Sequence, residues 1–217
     1  MLNLLIVILA LFLLCGLLYF ERRENQTGRL LTKTPLSALF IIAALAQPHL
    51  LASFFYLMLI GLIFCMAGDI CLVFPQKAMF LTGLVAFLVG HIWYTVAFFH
   101  TAAIHQLAWI GFLVVLVAGG WIYFWLKPHL GSMKRPVLAY IIFISLMVAG
   151  AWSLFGDDGL PLSGRLMVFS GAVLFYFSDL FVARQRFIQK VYRNRLIGLP
   201  IYYVGQFLLA FSVGILE

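Results

Sequence analysis

The chain has 217 residues, of which 65% are hydrophobic and only 10% charged, and its formal net charge is +7. A soluble domain is nearer half apolar and a quarter charged, so this composition excludes a water-soluble globule and makes lipid the solvent for the outer face. The positive charge does not argue for nucleic acid, because the Lys and Arg residues sit in short connections between apolar stretches, where they set topology.

In chain order, the first apolar stretch covers 2–20. No basic segment precedes it, and it runs into Glu21-Arg22-Arg23 where a signal peptide would have a small-residue cleavage site. It reads as a retained helix. Further spans follow at 34–48, 50–73, 78–100, 106–126, 136–155, 164–187 and 196–216. Several approach or exceed the roughly 20 residues that a membrane helix needs. The second is short and stops at Gln47-Pro48-His49, so it reads as tilted or partly interfacial. The expected fold is an all-α polytopic membrane helix bundle of about eight transmembrane helices, a single integral membrane domain over 1–217. Cys15, Cys65 and Cys71 lie within apolar spans, without CxxC or metal-ligand spacing, and read as small packing residues.

The connections give direction. The first carries Arg22, Arg23, Arg29 and Lys33, and the third Lys77. The fifth carries Lys127, Lys134 and Arg135, and the seventh Arg184, Arg186, Lys190, Arg193 and Arg195. Thirteen of the 14 basic residues thus fall on one side, and only Arg165 on the other. The positive-inside rule puts the odd connections in the cytoplasm and both termini outside, in a bacterial inner or plasma membrane. His49, His100 and His105 then lie near the outer surface.

Five acids, Glu21, Glu24, Asp157, Asp158 and Glu217, fall in loops or at the chain end, but Asp69 and Asp179 sit inside apolar spans. An acid there costs a few kcal/mol on insertion scales, so its default reading is functional. The alternative is an acid paired with a nearby Lys or Arg, or one that snorkels to the interface. Spans three and seven run the same way, which places both acids at one depth toward the cytoplasmic leaflet. Gly61, Gly68 and Asp69 recur as Gly171, Ser178 and Asp179 at an offset of 110, and Gly90 and Tyr94 recur as Gly198 and Tyr202 at 108. The recurrence hints at two parallel four-helix repeats. Small residues seven apart let helices approach and turn the acids inward. Two carboxyls in a dry site cannot easily both ionise, so the pair shares a proton near neutral pH and can act as acid and base.

Other polar groups stand within the spans. His91 forms a stripe with Gly90, Tyr94 and Thr95, and it reads either as a hydrogen-bonded structural histidine or as a substrate contact. Tyr140, Tyr203 and Gln206 either line a cavity or bond across helices.

In order along eight spans, Ala67-Gly68-Asp69, Phe87 with Gly90-His91 and Tyr94, Gly171-Ala172 with Phe175 and Ser178-Asp179, then Tyr203 and Gln206 resemble the YhhN-like lysoplasmalogenase family. The resemblance covers essentially the whole chain. It implies hydrolysis of the vinyl ether bond of lysoplasmalogens to a fatty aldehyde and glycerophosphocholine or glycerophosphoethanolamine, with no metal or other cofactor. It makes Asp69 and Asp179 the catalytic pair. The run Thr32-Lys33-Thr34-Pro35 resembles the family's lysine–proline start to the second helix, and makes Lys33 a candidate phosphate contact; Lys77 and Arg184 are further candidates as basic residues near the same face. The remaining candidates for substrate contact are His91, Tyr94, Tyr140, Ser178, Tyr203 and Gln206. The sequence leaves open which aspartate is the acid.

The leading rival is a proton-coupled transporter of a small lipid-like or organic substrate, because membrane acids also serve transport. A serine hydrolase is disfavoured by the lack of a GxSxG elbow. A metal site would have to combine Asp69, Asp179 and His91, which the expected depths disfavour.

Overall fold

The structure, a computed structural model, describes every residue except Leu50, His105 and Glu217, and describes Gln106 without its side chain. His105 and Glu217, placed near the outer surface and at the chain end above, therefore lie outside the described residues. Among the described residues all regular structure is helical: α1 (Leu2–Arg22), α2 (Gln26–Leu45), α3 (Ala52–Cys71), α4 (Lys77–Thr101), α5 (Gln106–Leu126), α6 (Lys134–Phe155), α7 (Leu162–Ala183) and α8 (Tyr192–Ser212). These are eight helices long and apolar enough to cross a membrane among the described residues. Two 3₁₀ turns join α5 to α6, and a π-helical turn (Arg184–Ile188) extends α7.

Two boundaries differ from expectation for one physical reason. α2 starts at Gln26, not near 34, and α8 starts at Tyr192, not near 196. Both helices open with polar residues that read as loop in a hydropathy scan. The start of α2 is capped by Asn25, whose side chain accepts a hydrogen bond from the Gly28 amide at 2.8 Å. Lys33 is therefore not a loop residue. It lies two turns inside α2 and is buried. Glu21 is likewise not a loop residue: it sits in the last turn of α1, between Arg29 and Arg195.

Short connections make successive helices antiparallel, so the Arg and Lys residues named above collect at one end of the bundle, here termed the basic end. Arg165 stands at the other end, paired with Asp158 at 2.7 Å. The closest helix pairs are α3 with α4 and α7 with α8. α6 packs against α4, α5 and α7, while α2 touches α1, α3 and α8. α1 and α5 are peripheral and turn Leu5, Ile8 and Phe12, and Trp109, Leu113 and Trp121, outward toward lipid.

Glycines set the two close crossings. A Cβ on Gly61 would stand 3.2 Å from the Gly90 carbonyl oxygen, and one on Gly205 would stand 2.9 Å from the Gly171 carbonyl oxygen. In the second pair Gly205 does the work that the 108-residue offset would give to Gly198, which packs on Phe181 instead. Backbone cannot yield as a side chain can, so Gly205→Leu should force α7 and α8 apart and cost about 1–3 kcal/mol or more of stability. Thermal unfolding in detergent should show a lowered Tm for this variant. Gly120→Ala, where a Cβ meets nothing within 4 Å and alanine is the better helix former, should leave Tm unchanged or slightly raised.

Candidate functional site

Three helices converge on Asp69. Its Oδ1 lies 2.9 Å from the Lys33 ammonium of α2. Its Oδ2 accepts hydrogen bonds from the Ser37 hydroxyl at 2.6 Å and the Tyr202 hydroxyl of α8 at 2.7 Å. Lys33 and Ser37 are four residues apart, so one face of α2 supplies both donors. Ser37 has one proton and gives it to Asp69, so the Tyr203 hydroxyl, 3.1 Å away, donates to Ser37. Behind Tyr202, Gln206 donates to its hydroxyl at 3.3 Å and accepts from the Tyr94 hydroxyl at 2.9 Å. Asp69 is thus a buried carboxylate with a cation and two hydroxyl donors, an arrangement that satisfies a charge in a low-dielectric interior.

Asp179 is surrounded differently. It is half-buried on α7, and its Oδ2 accepts from the Tyr140 hydroxyl of α6 at 2.6 Å. Among the described residues no Lys or Arg forms an ion pair with it.

The two carboxyls line one cavity of about 90 Å³. Lys33, Tyr140 and Tyr202 also line it, as do Asn194 and Arg195 at the basic end. The rest of the wall is apolar, including Phe80, Leu84, Phe87, Ile122 and Ile144. Among the described residues no three His, Cys, Asp or Glu side chains stand together as metal ligands would.

Of the residues singled out from sequence, Lys33, Asp69, Tyr140 and Asp179 meet at the cavity. Tyr94, Tyr203 and Gln206 stand behind it in the network that fixes Tyr202 and Ser37. Ser178 donates to the Phe175 carbonyl of its own helix at 2.7 Å and does not line the cavity. Nor does His91, which is fully buried between Tyr140, 5.2 Å away by ring centroids, and Phe175, at 4.6 Å. Neither of its ring nitrogens makes a hydrogen bond of good geometry. Ser37 and Tyr202 were not anticipated as parts of the site. Ser37 could have been found from its four-residue spacing to Lys33, and Tyr202 from the same spacing to Gln206. Neither Lys77 nor Arg184 lines the cavity: Lys77 donates to Ser132 at 3.3 Å, and Arg184 donates to the cavity residue Asn194 at 2.9 Å.

The chain is 33% identical over 160 residues to Lysoplasmalogenase TMEM86A of Homo sapiens, a match that covers 70% of this chain and 63% of that protein. It is 33% identical over 162 residues to Lysoplasmalogenase TMEM86B of Mus musculus, covering 70% of this chain and 61% of that one. These matches therefore span less than two thirds of the mammalian relatives' length. The membrane protein YhhN of Escherichia coli O157:H7 is 26% identical over 180 residues, 82% of this chain and 84% of that one. No solved structure matches the chain. The YhhN family matches residues 28–213, a range that takes in every group lining the cavity, and the chain belongs to that family.

Proposed function

We propose that the protein is a lysoplasmalogenase, which hydrolyses the vinyl ether bond of a lysoplasmalogen to a fatty aldehyde and glycerophosphocholine or glycerophosphoethanolamine. One observation carries the reading: two carboxyls with unlike partners share one cavity, in a chain whose relatives include lysoplasmalogenases. Unlike partners suit unlike roles. Asp69 is the fixed anion, because Lys33, Ser37 and Tyr202 all donate to its charged form. No described Lys or Arg pairs with Asp179, and an unpaired charge is costly in a dry site, so it carries the proton and is the acid.

The chemistry follows from these roles. A vinyl ether is nucleophilic at its β carbon. Asp179 transfers its proton there, and the electron pair of the double bond forms the new C–H bond. The carbon that bears the oxygen becomes an oxocarbenium ion, whose positive charge the nearby carboxylates offset. Water adds to that carbon and returns a proton to Asp179. The hemiacetal then collapses, breaking the C–O bond to glycerol, with a proton moving to the departing oxygen. One water is consumed, and the enzyme ends as it began. By the positive-inside rule, the basic end of the bundle faces the cytoplasm.

The direct test is purified protein in detergent supplied with a lysoplasmalogen. Aldehyde release is expected, with no fatty acid released from the corresponding acyl lysophospholipid. Proton-dependent uptake into proteoliposomes without aldehyde release would overturn the reading.

A further inference from the structure

The basic end of the cavity holds a charge cluster that the proposed hydrolysis does not use. Arg195, in the first turn of α8, lines the cavity. The Glu21 Oε2 stands 3.7 Å from Arg195 Nε and 3.7 Å from Arg29 Nη1. At that separation the contacts are coulombic and not hydrogen bonds. The Nε atoms of both arginines are buried, and neither makes a hydrogen bond. Two guanidinium groups thus share one carboxylate, with positive charge in excess and donors unused. Arg29, Lys33 and Ser37 follow one another at four-residue steps on α2, so one stripe leads from this cluster to Asp69.

Four other basic groups at this end are engaged. Lys33 holds Asp69, Arg184 donates to Asn194, and Lys190 pairs with Glu24 at 3.0 Å. Arg186 lies over the Phe80 ring, 4.3 Å from its centroid. Of the described cations that line the cavity, Lys33 is held by Asp69, whereas Arg195 keeps a buried Nε without a hydrogen bond, and a guanidinium matches the oxygens of a phosphate in paired hydrogen bonds.

We infer that Arg195 and Arg29 form the receptor for the phosphate of a single-chain lipid headgroup, with Glu21 holding the two guanidinium groups in place until the phosphate arrives. The inference rests on the proposed function for the identity of the lipid as a single-chain glycerol ether. It moves the phosphate contact from Lys33 to Arg195. Glu21 competes with the phosphate for the same donors, so it tunes affinity downward and favours release of the headgroup product.

The test measures binding to purified protein of two saturated ethers that vinyl ether chemistry cannot cleave, 1-O-alkyl-glycero-3-phosphoethanolamine and 1-O-alkylglycerol. Wild type should bind the phosphate-bearing lipid about tenfold or more tighter than the alkylglycerol. Arg195→Gln should bring the two within about threefold, chiefly by weakening the phosphate lipid, and Glu21→Gln should tighten that lipid about threefold. Equal binding of both lipids by wild type, or equal weakening of both in Arg195→Gln, would overturn the inference. If Arg195→Gln does not fold, Glu21→Gln decides, and unchanged or weaker phosphate-lipid binding in it counts against the inference. Inorganic phosphate should compete poorly, and competition as strong as the lipid's own would reassign the site to a free anion. A protein that prefers the phosphate lipid yet releases no aldehyde from a lysoplasmalogen would keep this inference and lose the hydrolase reading.

Discussion

Asp179→Asn should lower aldehyde release from a lysoplasmalogen about 1000-fold or more, in the upper part of the range for losing a general acid. The same variant should fold normally. Asparagine keeps an oxygen to accept the Tyr140 hydroxyl bond, and no ion pair is lost, since none of the described Lys or Arg residues contacts Asp179. Measuring kcat beside Tm separates the two effects. Activity within about tenfold of wild type would show that the proton comes from elsewhere.

Asp69 should behave differently, and its second signature is stability. Asp69→Asn strands the Lys33 ammonium, whose side chain is only 6% exposed, without a carboxylate. Lys33→Met strands the carboxylate with only two hydroxyl donors. Each should cost about 3–5 kcal/mol, the usual penalty for breaking a buried pair from one side. The double variant Lys33→Met/Asp69→Asn removes both charges and should regain most of that loss, because replacing a buried pair whole is often near neutral. It should still release little or no aldehyde. Thermal unfolding and product release across the four proteins read both quantities. Single variants as stable as wild type would show that the pair does not hold a buried charge. An active double variant would remove Asp69 from the mechanism.

Eight spans were legible because a stretch of about 20 apolar residues has few alternatives to a membrane helix. Asp69 and Asp179 were legible for the complementary reason, as charges where charge is costly. The sequence failed where a polar residue is buried because another helix satisfies it. Lys33 reads as a loop lysine until it is seen inside α2 with Asp69 2.9 Å away. That contact depends on how α2 and α3 dock, which hydropathy does not encode. Tyr203 was singled out in place of Tyr202. Successive helix positions differ by about 100°, and only the docked bundle shows that Tyr202 reaches Asp69 while Tyr203 reaches Ser37. Glu21 and Arg195 are conspicuous in neither composition nor spacing. They meet only because α1, α2 and α8 end at one corner of the bundle.

Protonation at the β carbon by a carboxyl in the shared cavity leaves a label that a single-turnover reaction in deuterated water reads. Purified protein is given a lysoplasmalogen in that solvent, and the aldehyde is trapped at once as a stable derivative and weighed by mass spectrometry. The proposed chemistry predicts one deuterium on the carbon next to the carbonyl, formed by wild type and lost with Asp179→Asn. Aldehyde without that deuterium, or the same labelled product from Asp179→Asn at the wild-type rate, would contradict it.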